Sequence, residues 1–202
     1  MPDAATSAPT SVKVVFTGPY GVGKTTMIRT LSEINVLTTE RRVAMGDEQK
    51  GKGSTTVAMD FGRLTIDADL QLYLFGTPGQ KRFDFMWEIL SEGMLGFVVM
   101  LDHTRPDSVL EAIEILAYFT QRADVPHIIG INKVPPGEDE RAIRVARHQL
   151  RVGEEVRVAV ADARDRDSAK DLLIELFHAA REHDARRAAL EIDVSNEPEH
   201  TW

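Results

Sequence analysis

Residues 18–25 read GPYGVGKT, and within this stretch Gly18, Gly23, Lys24 and Thr25 have a spacing that suits phosphate chemistry. Gly18 and Gly23 permit a tight turn, so the backbone amides that follow can point at an anion. Lys24 would supply positive charge to the β- and γ-phosphates, and the Thr25 hydroxyl would ligate Mg²⁺. The pattern therefore predicts a phosphate-binding loop. The alternative, an ordinary glycine turn capped by Thr25, is disfavoured because a strand precedes the motif and a helix follows it.

The hydrophobic pattern predicts the elements that must position this loop. A β-branched strand starts at Val12, and continuous apolar runs such as MLGFVVMLDH and PHIIGIN indicate strands buried on both faces. Strands alternate with helical stripes, and one short connection indicates a hairpin. We therefore expect an α/β fold of the P-loop NTPase type, a three-layer α/β/α arrangement with a six-stranded, mostly parallel sheet and one antiparallel edge strand. The polar stretch 38–55 is interpreted as a long functional loop.

Composition limits the kinds of partner and compartment. The chain has 202 residues, 43% of them hydrophobic, a net charge of −8 and no cysteine. The acidic balance argues against nucleic acid as a partner, and the absence of cysteine excludes disulfides and a prenyl or palmitoyl membrane anchor. The first residues lack the pattern of a signal peptide, so we expect a cytoplasmic protein whose contact with a membrane, if it has one, is made through partners. We predict a flexible arm over 1–11, one nucleotide-binding domain over 12–184 and a tail over 185–202.

Further motifs follow the phosphate loop in a familiar order. They are TVAMDF, TPGQKRF, LDHT, the pair Asn132–Lys133, and DAR at residues 162–164. Together they resemble the Ras-like small GTPase superfamily, most closely the bacterial MglA-like GTPases and those of actinobacterial conservon clusters. The resemblance implies a G domain that binds GTP or GDP with Mg²⁺, hydrolyses GTP slowly and binds partners through its ordered loops. A roadblock-type regulatory protein is the partner that the resemblance suggests.

The resemblance also implies roles for individual residues. Gln80 would orient the attacking water, and Lys24 and Thr56 would complete the catalytic set. Thr56 would coordinate Mg²⁺ together with Thr25, with Thr55 as the neighbouring alternative. The nucleotide would be bound by Gly18, Tyr20, Gly21, Val22, Gly23, Lys24, Thr25, Thr26, Gly79, Asn132, Lys133, Asp162, Ala163 and Arg164.

Two positions depart from that pattern at the metal and at the base. Gly76 stands where the family has an aspartate that holds Mg²⁺ through a water, and Asp102 is a nearby carboxylate for which a loop hydrogen bond is the favoured role. Pro135 stands where the family has the aspartate that reads guanine. Glu138, Asp139 and Asp162 are the open candidates to replace it.

A third departure concerns catalysis. Tyr20 would crowd the approach of an arginine from a partner, so any catalytic arginine would be built in, with Arg41 and Arg42 as candidates and solvated loop charges as the favoured alternative. A nucleotide-binding scaffold without turnover is therefore the second hypothesis. A small-molecule kinase is the third, and the TPGQ and NK motifs argue against it.

Overall fold

The computed structural model describes residues 9–44, 54–79 and 84–195, and the side chains of 9–38, 59–79 and 85–189 among them. The strands in these ranges are β1 (Thr10–Thr17), β2 (Leu37–Ala44), β3 (Ser54–Thr65), β4 (Leu70–Gly76), β5 (Met94–Asp102), β6 (His127–Asn132) and β7 (Arg157–Val160). The α-helices are α1 (Lys24–Leu31), α2 (Asp84–Ser91), α3 (Val109–Arg122), α4 (Asp139–Leu150) and α5 (Arg166–Ser195).

The strands form one sheet in the order β2-β3-β4-β1-β5-β6-β7. Strand β1 pairs in parallel with β4 and β5, and parallel pairing continues through β6 to β7. Strand β3 runs antiparallel to both of its neighbours, β2 and β4. The carboxyl ends of the parallel strands therefore meet along one edge of the sheet, which is where open α/β sheets bind ligands.

Helices cover both faces of the sheet. On one face, α1 and α5 bury side chains such as Ile28 and Leu172 against the strands. On the other face, α2, α3 and α4 bury side chains such as Trp87, Ile115 and Ala146. The residues of β5 and β6 are mostly buried, as the continuous apolar runs predicted. The prediction of an α/β fold is confirmed, and this arrangement is compatible with that of P-loop nucleotide-binding proteins.

The prediction of six strands with the antiparallel strand at the edge was wrong. An additional strand, β2, begins one residue before the stretch that we interpreted as a loop and continues into it, and it pairs with β3 from Leu37 opposite Phe61 to Ala44 opposite Ser54. Strand β2 carries the polar sequence LTTERRVA, and Leu37 is 55% exposed. An edge strand held by backbone pairing has no apolar alternation to reveal it. Because β2 covers β3, the antiparallel strand is second from the edge.

Secondary structure extends beyond the limits that we expected for the domain. Strand β1 begins at Thr10, inside the predicted arm, and α5 continues to Ser195, inside the predicted tail. The division into arm, domain and tail stays a prediction.

Candidate nucleotide-binding site

The phosphate loop joins the end of β1 to the start of α1. Gly18, Gly21 and Gly23 have φ angles of 131°, 82° and 109°. A side chain at Gly18 would collide with the backbone of Met100, and one at Gly23 with the side-chain amide of Asn132. Glycine is therefore required by both conformation and space. Gly23 is also the N-cap of α1 and makes no side-chain cap hydrogen bond, which leaves the amides of the first turn facing outward for an anion.

Lys24 is the first residue of α1, and only 7% of its surface is exposed. Its Nζ donates hydrogen bonds to the carbonyl oxygens of Gly18 at 2.7 Å and Pro19 at 2.8 Å. Burial lowers the pKa of Lys24 to about 8, although the carboxylates of Glu111 and Asp60 oppose the shift. The ammonium group is thus held inside the loop that the sequence assigns to phosphate.

The Thr25 hydroxyl points at a carboxylate on another strand. Thr25 Oγ1 donates a hydrogen bond to Asp60 Oδ2, and Thr38 Oγ1 donates to Asp60 Oδ1 at 3.1 Å. Thr25 therefore does not cap the turn. A hydroxyl and a carboxylate are hard oxygen groups of the kind that Mg²⁺ prefers. The sequence reasoning missed Asp60, although an acidic residue inside the apolar strand TVAMDFG was a signal for it.

Gly76 is explained by Asp60. The two residues lie directly opposite each other in the antiparallel pairing of β3 with β4. A Cβ added at Gly76 would lie 3.1 Å from Asp60 Cβ, 3.2 Å from Asp60 Oδ2 and 2.9 Å from Ile28 Cδ1. A side chain on β4 would therefore be crowded at this position, and the carboxylate beside Thr25 comes from β3.

Asn132 braces the loop from the end of β6. Its side chain is buried, its Nδ2 donates to the Val22 carbonyl at 2.9 Å, and its Oδ1 accepts from the backbone amides of Lys133 at 2.9 Å and Ala163 at 3.2 Å. One amide thus ties together β6, the phosphate loop and the loop after β7. Because Asn132 Oδ1 and Nδ2 are engaged with backbone groups, its first role in this geometry is to position its neighbours.

Asp102 and Lys133 form an ion pair beside this brace. Lys133 Nζ lies 2.5 Å from Asp102 Oδ2, and Asp102 Oδ1 accepts from the backbone and hydroxyl of Thr104 at 2.9 and 2.6 Å. Hydrogen bonds from Lys133 and Thr104 outweigh burial and lower the pKa of Asp102. The interpretation of Asp102 as a loop hydrogen-bond partner is confirmed.

A cavity of about 640 Å³ opens beside the phosphate loop. Its walls come from the loop, the end of β6 and the segment after β7, and they include Gly21, Gly23, Thr26, Asn132, Lys133, Pro135, Asp162, Ala163, Arg164 and Ser168. Most of the residues predicted to bind a nucleotide are therefore brought together around one loop and one cavity.

The opposite side of the loop meets the start of the segment after β4. A Cβ added at Gly79 would lie 2.5 Å from the Tyr20 backbone nitrogen, so only glycine allows this approach. Tyr20 is 67% exposed, and its backbone carbonyl accepts a 2.7 Å hydrogen bond from Arg105 Nη1. Arg105 follows β5 and was not singled out from the sequence. It is an arginine of this chain that already touches the phosphate loop.

Several predicted residues lie outside what can be described. Gln80 lies outside the described residues, as do the side chains of Thr55, Thr56, Arg41 and Arg42, although the backbones of these four belong to β2 and β3. Their roles stay predictions. Within the described residues, no helix is long and apolar enough to cross a membrane.

Comparison with known proteins decides the family. Residues 35–183 match a family described as a conserved hypothetical ATP binding protein. The chain belongs to this family. An uncharacterized protein of the archaeon Methanocaldococcus jannaschii, MJ1339, is 36% identical over 127 residues, which are 63% of this chain and 73% of that protein. The family match begins after the phosphate loop, so the loop is independent support for nucleotide binding.

The identification as a Ras-like, MglA-like or conservon-type GTPase was wrong. The family that matches is the conserved ATP-binding family, and the similar protein is archaeal. The misleading signal has a physical origin, because phosphate loops and polar segments at the carboxyl ends of parallel strands serve phosphate binding in many proteins of this architecture. What the family supports is nucleotide binding.

Proposed function

We propose that this chain binds a nucleoside triphosphate with Mg²⁺ and hydrolyses it slowly. The observation that carries the proposal is the buried Lys24 ammonium inside a loop of three positive-φ glycines, with the hydroxyl of Thr25 beside it. A buried cation surrounded by backbone groups at a helix N-terminus is suited to a multiply charged phosphate chain.

The side chains and backbone amides around the phosphate loop each have a role in the proposed binding. Lys24 exchanges its two loop carbonyls for phosphate oxygens, while the amides at the start of α1 donate to the same phosphates. Thr25 would hold Mg²⁺, with Asp60 close enough to orient it or its bound water. When bound, Mg²⁺ neutralises charge on the β- and γ-phosphates during transfer. The positioning of water by Gln80 and metal contact by Thr56 stay predictions.

The identity of the nucleotide base is less well determined than the binding of its phosphates. The family description names ATP, whereas the sequence motifs led us to expect GTP or GDP. Both triphosphates are therefore candidates, and the cavity beside the loop is where their bases would lie. The expectations of regulated partner binding and of a roadblock-type partner came with the corrected resemblance and stay predictions.

Calorimetric titration with ATP and GTP, with and without Mg²⁺, tests the proposal, and release of phosphate tests turnover. Lys24→Ala should weaken binding by about 10- to 100-fold, since a charge-assisted contact is lost. Lys170→Ala is the matched control, because Lys170 lies on α5 and pairs with Asp167 at the surface. Binding of neither nucleotide would refute the proposal, and binding without phosphate release would favour the scaffold alternative.

A further inference from the structure

We propose that Asp162 reads the base of the bound nucleotide and makes the cavity selective for guanine. The inference rests on the proposed nucleotide binding and adds to it the substrate class and the residue that selects it. The inference has three requirements. A carboxylate must line the cavity beside the phosphate loop, and one base must suit a carboxylate better than the other. The carboxylate must also be able to exchange its present hydrogen-bond partner for the base.

The structure separates Asp162 from the other two acidic candidates. Asp162 lines the cavity beside the phosphate loop, and among the described residues that line it Asp162 is the one carboxylate. Glu138 is the N-cap of α4 and lies 3.9 Å from His103 and 3.6 Å from Arg141. Asp139 is in the first turn of α4. Neither lines the cavity.

Pro135 leaves its part of the cavity wall without a hydrogen-bonding side chain. The segment after β7, to which Asp162 and Ala163 belong, forms another part of the same cavity wall. Asn132 connects the two parts of the wall, because its Oδ1 accepts from the Ala163 amide. A base in this cavity would therefore have the apolar Pro135 ring and the Asp162 carboxylate within the same lining.

The chemistry of a carboxylate selects between the purines. An ionised carboxylate only accepts hydrogen bonds, and its two oxygens can accept two parallel donors. Guanine presents two adjacent donors, N1–H and the exocyclic amine at C2. Adenine presents an amine beside the unprotonated N1, whose lone pair would face the second carboxylate oxygen without a hydrogen. A pairing of this kind therefore favours guanine.

The Asp162 carboxylate is held in place by one hydrogen bond and can exchange the partners of its others. Its Oδ1 accepts from the Arg164 backbone amide at 2.9 Å and from Arg164 Nε at 3.2 Å, and its Oδ2 accepts from Arg164 Nη2 at 3.2 Å. These hydrogen bonds lower the pKa of Asp162 and keep it ionised. The Arg164 side chain is 81% exposed, and an exposed ion pair shifts an equilibrium by about fivefold at most. A base can displace the guanidinium while the backbone amide keeps the carboxylate in place.

Titrations of GTP, ATP and xanthosine triphosphate against the full chain and Asp162→Asn test the inference. The natural chain should bind GTP at least about tenfold more tightly than ATP, and Asp162→Asn should lose about 10- to 100-fold in GTP affinity. Asp162→Asn should also gain affinity for xanthosine triphosphate, because the asparagine amide can donate to the C2 carbonyl of xanthine. Asp139→Asn is the matched control and should leave all three affinities unchanged.

The gain for xanthosine triphosphate is a readout that misfolding cannot produce. Equal GTP affinity in the natural chain and Asp162→Asn, or preferential binding of ATP by the natural chain, would overturn the reading of the base by Asp162 and leave nucleotide binding intact. Failure of the natural chain to bind any of the three would instead overturn the proposed function itself.

Discussion

Exchanging Asp60 and Gly76 tests how the metal side of the site is built. The two residues are directly opposite on β3 and β4, and the Asp60 carboxylate occupies the space above Gly76. Asp60→Gly removes the carboxylate that accepts from Thr25, and Gly76→Asp adds one next to it. The double variant moves the carboxylate from β3 to β4 without changing the composition of the site.

The structure gives the size of each effect. Gly76→Asp alone places a Cβ 2.9 Å from Ile28 Cδ1 and 3.1 Å from Asp60 Cβ, an overpacking that costs about 1–3 kcal/mol before the repulsion of two carboxylates is added. Asp60→Gly alone loses the charged hydrogen bond from Thr25, about 1.5–3 kcal/mol. In the double variant the contact with Asp60 and the repulsion both disappear. We therefore expect a favourable coupling free energy of about 1–3 kcal/mol.

Urea denaturation of the four proteins without nucleotide measures this coupling. Calorimetry measures the metal: Asp60→Gly should reduce the gain in nucleotide affinity from Mg²⁺ by about 10- to 100-fold, and the double variant should recover most of it. Asp69→Gly, in the exposed turn between β3 and β4, is the control for loss of one negative charge. Coupling near zero, or full Mg²⁺ dependence in Asp60→Gly, would refute the assignment of Asp60.

Three further predictions concern the loop. The pKa of Lys24 is lowered to about 8 in the free protein, so above pH 8 the lysine must take up a proton when the nucleotide binds. Calorimetric titrations should therefore show a nucleotide affinity that falls by up to about tenfold per pH unit above pH 8. Lys24→Arg should show no such fall in the same titrations. Asn132→Ala leaves the Val22 carbonyl and two backbone amides without their partner. It should lower the free energy of unfolding, measured by urea denaturation, by about 2–4 kcal/mol. A loss below about 1 kcal/mol would contradict the conclusion that Asn132 braces the phosphate loop. Arg105→Ala should change the free energy of unfolding by less than about 1 kcal/mol, because the Arg105 side chain is 41% exposed. The variant should nevertheless weaken nucleotide binding several-fold, because the Tyr20 carbonyl in the phosphate loop loses its hydrogen bond. Unchanged nucleotide affinity would show that Arg105 does not anchor the phosphate loop.

The elements predicted well from the sequence are those fixed by local chemistry. The phosphate loop needs glycine at positive φ, so Gly18 and Gly23 predict the loop from its own sequence alone. Strands β5 and β6 are buried on both faces, so their apolar runs are continuous and bounded by turns. Strand β2 was missed because its place in the sheet depends on backbone pairing with β3 and leaves no apolar pattern in its own residues.

The parts of the site that the sequence left open depend on contacts between distant segments. Arg105 reaches the phosphate loop across 85 positions of the chain, a contact that no local pattern specifies. The choice among three acidic residues near the base cavity likewise required the placement of α4 relative to the segment after β7. The family was misjudged for a related reason, since short motifs at strand ends record the chemistry of phosphate binding and say less about descent.

The relation between Asp60 and Gly76 shows why an absent carboxylate on one strand is weak evidence of an absent metal site. Residues directly opposite in an antiparallel pair project from the same face of the sheet, so a side chain from either strand can reach the same point above it. Here that point is the Thr25 hydroxyl at the start of α1, and Asp60 reaches it. The close approach also couples the two positions, because a side chain at 76 would crowd Asp60 and the end of the Ile28 side chain. Glycine at 76 leaves room for the carboxylate at 60, and the pair should be judged together.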